Sequence, residues 1–104
     1  MTIQFNTANN INGSETLNER LSSVIAEKLN RFGGQITRIE AHLSDANGNK
    51  EGQNDKQCVL EARLENMQPI AVTNNASTYD EAVTGAITKL KSTLDTAIGK
   101  LKKH

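Results

Sequence analysis

Aromatic residues are scarce in this sequence, which contains Phe5, Phe32 and Tyr79 and no tryptophan. A platform of exposed rings on which single-stranded nucleic acids stack is therefore excluded, and the core must be aliphatic. The single cysteine, Cys58, cannot form an internal disulfide, which is consistent with a reducing cytoplasm. The chain has no apolar run of about 18 residues and no basic and apolar leader, so we expect neither a membrane span nor export.

Signatures of catalysis and metal binding are also missing. His42 and His104 are far apart in the sequence, and no triad, carboxylate pair or phosphate loop can be named. The segment that starts at Asp45 is similar to an EF-hand loop in its first ligands, but lysine occupies the positions that require glycine and glutamate. We therefore predict a solvated hairpin loop here, and a protein that is not an enzyme and uses no metal, cofactor or small-molecule substrate.

The overall composition is that of one ordinary folded domain. The chain has 104 residues, of which 36% are hydrophobic and 23% charged, and its formal net charge is zero. This length provides room for one hydrophobic core, so we predict a single domain over residues 1–104. A net charge of zero provides little long-range attraction toward nucleic acid.

The hydrophobic periodicity alternates between the strand and helix patterns. Period-two patterns predict strands at 2–7, 38–43 and 57–65, with a fourth strand around Ile70 and Val72. Helical spacing predicts a first helix from Ser14 to Phe32, stopped by Gly33 and Gly34, and a last helix from Tyr79 to His104. The element order is therefore β-α-β-β-β-α.

This order predicts a two-layer α+β fold, in which a four-stranded mixed sheet carries both helices on one face and leaves the other face to water. The first two strands, joined through a helix, should be parallel with a right-handed crossover, and the remaining pairs antiparallel. Pro69 should place the fourth strand at an edge of the sheet. On the open face, we expect cross-strand ion pairs among Arg38, Glu40, Glu61 and Arg63.

The last helix concentrates positive charge around a single acid, Asp95. A helical projection places lysines along both margins of its apolar stripe. Lys89 and Lys100 lie on one margin, and Lys91 and Lys102 lie on the other. Lys103 follows them in the sequence. The structural explanation is that the lysine stems cover the rim of the core and suit the helix dipole. The functional explanation is a docking surface for a partner. Lys28 falls inside the apolar stripe of the first helix, where we expect it to reach outward to water.

Several segments carry a resemblance to a known family. The sequence is similar to the short form of the bacterial ribosome hibernation promoting factor and ribosome-associated inhibitor A family, also called sigma-54 modulation proteins. The similar segments are Thr7–Ile11, Ser14–Leu17, Lys28–Phe32, Tyr79, Ala82–Leu90, Leu94 and Lys100–Lys102. They extend over nearly the whole chain.

This resemblance implies a cytoplasmic translation inhibitor of the stress response that lodges in the tRNA and mRNA channel of the small ribosomal subunit. It would contact the phosphates of 16S rRNA and act by steric occlusion. The motif match assigns the phosphate contacts to Lys28, Arg31, Lys89, Lys100 and Lys102. Two further lysines, Lys91 and Lys103, lie in the same stretch at positions without a family cation, and we include them in the candidate RNA-binding surface.

The chain also departs from the family pattern. Ser92, Thr96 and Ile98 stand where the family has further basic residues, so several phosphate contacts would be missing. The alternative hypothesis is a diverged protein-interaction module of the same fold that no longer binds the ribosome and forms a homodimer through a sheet edge or face. A continuous positive ridge joining Lys28 and Arg31 to Lys89 and Lys100 would favour the ribosome, and a mosaic of charges would favour the alternative.

Overall fold

The computed structural model describes residues 1–7, 14–45 and 55–102, and the side chains of Ser14 and of residues 100–102 are not part of that description. The described elements are β1 (Thr2–Thr7), α1 (Ser14–Lys28), β2 (Ile36–Asp45), β3 (Lys56–Leu64), β4 (Ile70–Ala76) and α2 (Tyr79–Lys102). Their order is β-α-β-β-β-α, which confirms the α+β architecture predicted from the sequence.

The four strands form one mixed sheet in the order β1-β2-β3-β4. β1 is parallel to β2, as required when a helix connects them, and the other two pairs are antiparallel. β4 lies at an edge of the sheet and begins directly after Pro69, which agrees with the prediction for that proline. β1 forms the opposite edge.

Both helices cover the same face of the sheet. The buried residues of β2 and β3 alternate along each strand, as in Ile39, Ala41 and Leu43, and they pack in one cluster with Leu21 of α1 and Leu90 of α2. The residues between them point to the other face, which no described helix covers. Aliphatic burial on one face, at about 25 cal/mol per Å² of apolar surface, therefore holds the two layers together.

The first helix is shorter than the sequence predicts. α1 ends at Lys28, and Asn30–Phe32 forms a separate 3₁₀ turn in which the Phe32 amide donates to the Leu29 carbonyl at 2.9 Å. The tighter turn brings Phe32 into the core, where it is 5% exposed. Lys28 is exposed at the point where the regular helix ends, so it reaches water as expected.

Gly85 allows α2 to lie close to β4. A side chain at this position would overlap the amide of Asn74, whose Nδ2 donates to the backbone oxygens of Glu81 at 3.4 Å and Ala82 at 3.2 Å. The Asn74 amide therefore occupies the space that a Cβ would need. Glycine here is a packing requirement, although glycine in a helix costs about 0.5–1 kcal/mol relative to alanine.

A double-mutant cycle tests this contact. Gly85→Ala should lower the free energy of unfolding by about 1–2 kcal/mol, because the displaced Asn74 amide loses its acceptors in a partly buried place. In an Asn74→Ala background, Gly85→Ala should raise the free energy of unfolding by about 0.5–1 kcal/mol, because only the higher helix propensity of alanine over glycine then remains. Urea unfolding followed by circular dichroism measures both values.

Gly99→Ala is the matched control for that cycle. It also lies in α2, but a Cβ there would meet nothing within 4 Å. The change should be neutral or stabilising by up to about 1 kcal/mol in both backgrounds. Equal effects of Gly85→Ala with and without Asn74 would contradict the proposed packing.

Candidate nucleic-acid interface

The two helices lie side by side and run in the same direction. An ion pair between Arg20 and Asp80 joins the first half of α1 to the start of α2. A second pair, between Arg31 and Asp95, joins the 3₁₀ turn after α1 to a later turn of α2 at 2.7 Å. The two ion pairs follow one another in the same order along both helices. They therefore show which residues of α1 and the 3₁₀ turn lie beside which residues of α2.

The surface between these two ion pairs is the inter-helix surface, formed by the flank of α1 that faces α2 and the flank of α2 that faces α1. Steps of three and four residues from Arg20 lead along α1 to Glu27, Lys28 and Arg31, and the same steps from Asp80 lead along α2 to Lys91 and Asp95. Lys28 is exposed and Lys91 is half-buried. Along this surface the cations Arg20, Lys28, Arg31 and Lys91 exceed the carboxylates Glu27, Asp80 and Asp95 by a single charge.

Arg31 is the best oriented cation of this surface. Its guanidinium donates to Oδ2 of Asp95 and lies over the ring of Phe32, with the Cζ atom 4.5 Å from the ring centre. The side chains of Arg31 and Asp95 are 58% and 54% exposed, so water screens the pair and its net stabilisation is at most about 1 kcal/mol. An anion that binds Arg31 therefore meets a guanidinium whose orientation is already set, but it must compete with the Asp95 carboxylate.

Lys89 lies on the other flank of α2. Its ammonium donates to the backbone oxygen of Thr73 in β4 at 2.8 Å, at the edge of the sheet. Residues 89 and 91 are two positions apart, about 200° around the helix, so their side chains leave on opposite flanks. Helical geometry and the Arg31–Asp95 pair thus assign Lys28, Arg31 and Lys91 to the inter-helix surface, and the contact of Lys89 with Thr73 places Lys89 apart from them.

The remaining predicted cations stand at the end of the chain. Lys100 and Lys102 belong to the last turn of α2, and their side chains fall outside the described part. Lys103 lies outside the described residues altogether. Among the described cations, Lys89 is separate from the inter-helix surface, and no continuous ridge joins it to Lys28 and Arg31. On this criterion the described charges favour the protein-interaction alternative.

The open sheet face carries charges of both signs. Arg63 pairs with Glu40 across the strands at 3.3 Å and with Glu61 of its own strand at 3.3 Å, and Arg38 approaches Glu40 at 3.7 Å. The cross-strand pairing expected from the sequence is present between Glu40 and Arg63. Because carboxylates alternate with guanidinium groups, this face offers no uninterrupted positive area to a phosphate backbone.

A partly buried ionic cluster lies at the end of the β2–β3 pair, and it was not predicted from the sequence. The Lys56 ammonium lies 3.0 Å from Asp45 and 3.1 Å from Asp55, and 5.8 Å from the centre of the Tyr79 ring. Hydrogen bonds to Asp45 and then to Asp55 raise the pKa of Lys56, and burial, followed by the charge of Asp45, raises the pKa of Tyr79.

The same cluster includes residues at both ends of the EF-hand-like segment. The loop between Asp45 and Asp55 lies outside the described residues, but the lysine that follows it binds both carboxylates. The ammonium thus occupies the place where a cation would meet these two acids. The cluster joins the ends of two strands to the start of α2, which is a structural role.

Cys58 has the properties of a core residue. It is fully buried, and burial raises the pKa of its thiol to about 12, so the reactive thiolate is not populated near neutral pH. In the described ranges, no group of three or more metal-binding side chains comes together. Within the same ranges, no helix is long and apolar enough to cross a membrane.

The structure is a small two-layer α+β fold in which the described candidate cations lie on the helical side. The chain belongs to the sigma 54 modulation protein / S30EA ribosomal protein family, whose sequence model matches residues 5–102. The family assignment therefore makes this a ribosome-associated modulation protein, and it agrees with the resemblance seen in the sequence. A comparison with individual curated proteins gives no significant match.

Proposed function

We propose that this protein is a hibernation-type translation inhibitor that binds the small ribosomal subunit in the cytoplasm as a single domain. Its inter-helix surface contacts phosphates of 16S rRNA through Lys28, Arg31 and Lys91, and the bound domain blocks the channel for tRNA and mRNA. Further contacts come from Lys89 on the other flank of α2 and from the lysines at the end of the chain, Lys100, Lys102 and Lys103. No bond is made or broken, so the function needs neither a catalytic group nor a cofactor.

The observation that carries this proposal is the grouping of Lys28, Arg31 and Lys91 on one surface between two packed helices. These residues come from both helical segments, and the packing of α1 and α2 on the common core fixes the positions of their backbones. Binding to a folded RNA backbone therefore costs little backbone freedom. The open face lacks such a grouping.

The binding energy in this proposal comes mainly from counterion release. Each phosphate neutralised by lysine or arginine releases condensed cations, and log affinity falls with log salt by about 0.7–0.9 per contact. Lys28 and Lys91 then account for a slope of about 1.4–1.8, and Arg31 adds to it only where phosphate displaces the Asp95 carboxylate. A net charge of zero implies weak long-range attraction, so shape and these short-range contacts must locate the site.

A pelleting assay with purified small subunits tests the proposal. The protein should sediment with the subunits at low salt, dissociate progressively as salt rises, and show a slope of at least about 1.4. Steric occlusion further requires that excess initiator tRNA and mRNA, bound beforehand, reduce the pelleted fraction. Absence of the protein from the pellet at low salt would exclude the proposal, and binding unaffected by prior tRNA would exclude occlusion.

A protein-interaction module is the second candidate function, and one feature of the charges favours it. Arg31 is already paired with Asp95, and Lys89 already binds a backbone oxygen, so two of the four described candidate cations are engaged within the protein. This candidate predicts no association with ribosomes at any salt concentration. The pelleting assay therefore separates the two functions.

A further inference from the structure

The two edges of the sheet differ in how they are protected. At the β4 edge, Pro69 precedes the strand, and the Lys89 ammonium binds the backbone oxygen of Thr73. α2 also lies close to this strand through the contact of Gly85 with Asn74. These are devices that prevent a further strand from pairing with an edge.

The β1 edge has none of these devices in the described residues. β1 contains six residues, has no proline and no charged side chain, and pairs only with β2. Its core-facing residues Ile3 and Phe5 remain partly exposed, whereas the residues beside them on β2 are fully buried. An open groove lies between β1 and the flank of α1 that carries Ser22 and Ser23. Space and unpaired backbone groups are thus both available to an added strand.

The geometry points to a second copy of this chain as the partner: we propose that two β1 strands pair antiparallel across a two-fold axis and join the two sheets into one. Neither edge contributes a charge, so the pairing creates no electrostatic conflict between the strands. Symmetric pairing of one surface with itself is also the commonest form of association among soluble proteins.

The register of this pairing follows from the alternation of side chains. Opposite residues of an antiparallel pair point to the same face, so the core-facing residues of one copy must oppose those of the other. A two-fold axis at Gln4 satisfies this condition. It places Ile3 of each copy opposite Phe5 of the other, which is an aromatic and β-branched pair of the kind that stabilises sheets.

The helices beside the edge are compatible with this arrangement. The Thr7 hydroxyl at the end of β1 donates to Asn18 at 3.0 Å, while earlier residues of β1 line the groove with Ser22 and Ser23. α1 therefore runs antiparallel to β1, and the axis at Gln4 falls near the small residue Ser22. Across the axis, Glu19 of one copy, three residues before Ser22, faces the turn of α1 about three residues after Ser22 in the other copy rather than its Glu19. The inter-helix surface lies on the opposite flank of α1, so the dimer leaves it open in both copies.

A charge exchange at Gln4 tests the proposal, because the axis places the two Gln4 side chains directly opposite each other. Sedimentation velocity of the unmodified chain should show a mass rising from 11.3 kDa toward twice that value as concentration rises. Gln4→Lys alone and Gln4→Glu alone should each weaken the association at least tenfold, and an equimolar mixture of the two should restore it. A mass that remains that of the monomer up to millimolar concentration would overturn the proposal.

A cysteine cross-link identifies the interface directly. Opposite residues of an antiparallel pair have Cα atoms about 4.5–5.5 Å apart, which suits a disulfide. Gln4→Cys should therefore give a covalent dimer on mild oxidation, while Asn75→Cys on the exposed face of β4 should not. The buried Cys58 does not compete. Dimers through Asn75→Cys, or none through Gln4→Cys, would place the contact elsewhere and exclude the β1 pairing.

Discussion

Replacement of both Lys28 and Lys91 by glutamine should weaken binding to the small ribosomal subunit about 20-fold near physiological salt. The two lysines lie on facing flanks of α1 and α2, and each is expected to neutralise one phosphate. Loss of two contacts should also reduce the salt slope by about 1.4–1.8. Pelleting or fluorescence anisotropy over a salt series measures both quantities.

A matched variant separates this local effect from a general effect of charge. Ala71→Glu with Asn75→Glu changes the net charge by the same amount, but on exposed positions of the open sheet face. It should leave the salt slope unchanged. Thermal unfolding of both variants should remain close to that of the unmodified chain, because none of the four residues belongs to the core. If the lysine and sheet-face variants bind equally well, the inter-helix surface is not the RNA contact.

The fold could be predicted from the sequence because its signals are local. Alternating residues mark the strands, and the helical stripe from Tyr79 onward marks α2, so element order and strand directions follow from connection rules. The 3₁₀ turn at Asn30–Phe32 was not predicted. Its apolar spacing is close to that of a helix, and only packing of Phe32 against the core decides between the two.

The composition of the site was predictable, whereas its arrangement was not. The projection of α2 correctly separated Lys89 from Lys91, since their positions depend only on helical geometry. The ion pairs of Arg20 and Arg31 join residues 60 and 64 positions apart, and no local pattern indicates such partners. The carboxylates that oppose the cations could therefore be identified only after the helices were placed side by side.

The structure also shows where the residues that depart from the family pattern lie. Ser92 and Thr96 are exposed on the outward side of α2, where the Thr96 hydroxyl donates to the Ser92 backbone oxygen at 3.1 Å. Ile98 is half-buried and lines a groove with Gly34 and Met67. The outward side of α2 thus adds no charge at Ser92 and Thr96, which makes the proposed binding depend more strongly on the inter-helix surface.

Replacement of Asp95 by asparagine should strengthen ribosome binding by up to about fivefold near physiological salt and make the salt slope steeper by up to about 0.7–0.9. The change removes the carboxylate that competes with phosphate for Arg31. The amide oxygen can still accept a hydrogen bond from the guanidinium, and the Phe32 ring remains beneath it, so Arg31 keeps its orientation. Because the original pair is more than half exposed, the free energy of unfolding should fall by no more than about 1 kcal/mol.

Glu19→Gln is the control for Asp95→Asn, because it removes one negative charge from the opposite flank of α1. It should change ribosome affinity by less than about twofold, since at that distance salt screens most of the interaction. Equal gains for both variants would show that only the net charge matters. A loss of affinity for Asp95→Asn, with the fold intact by circular dichroism, would show that Asp95 does not compete with phosphate and that its charge is needed to hold Arg31 in place.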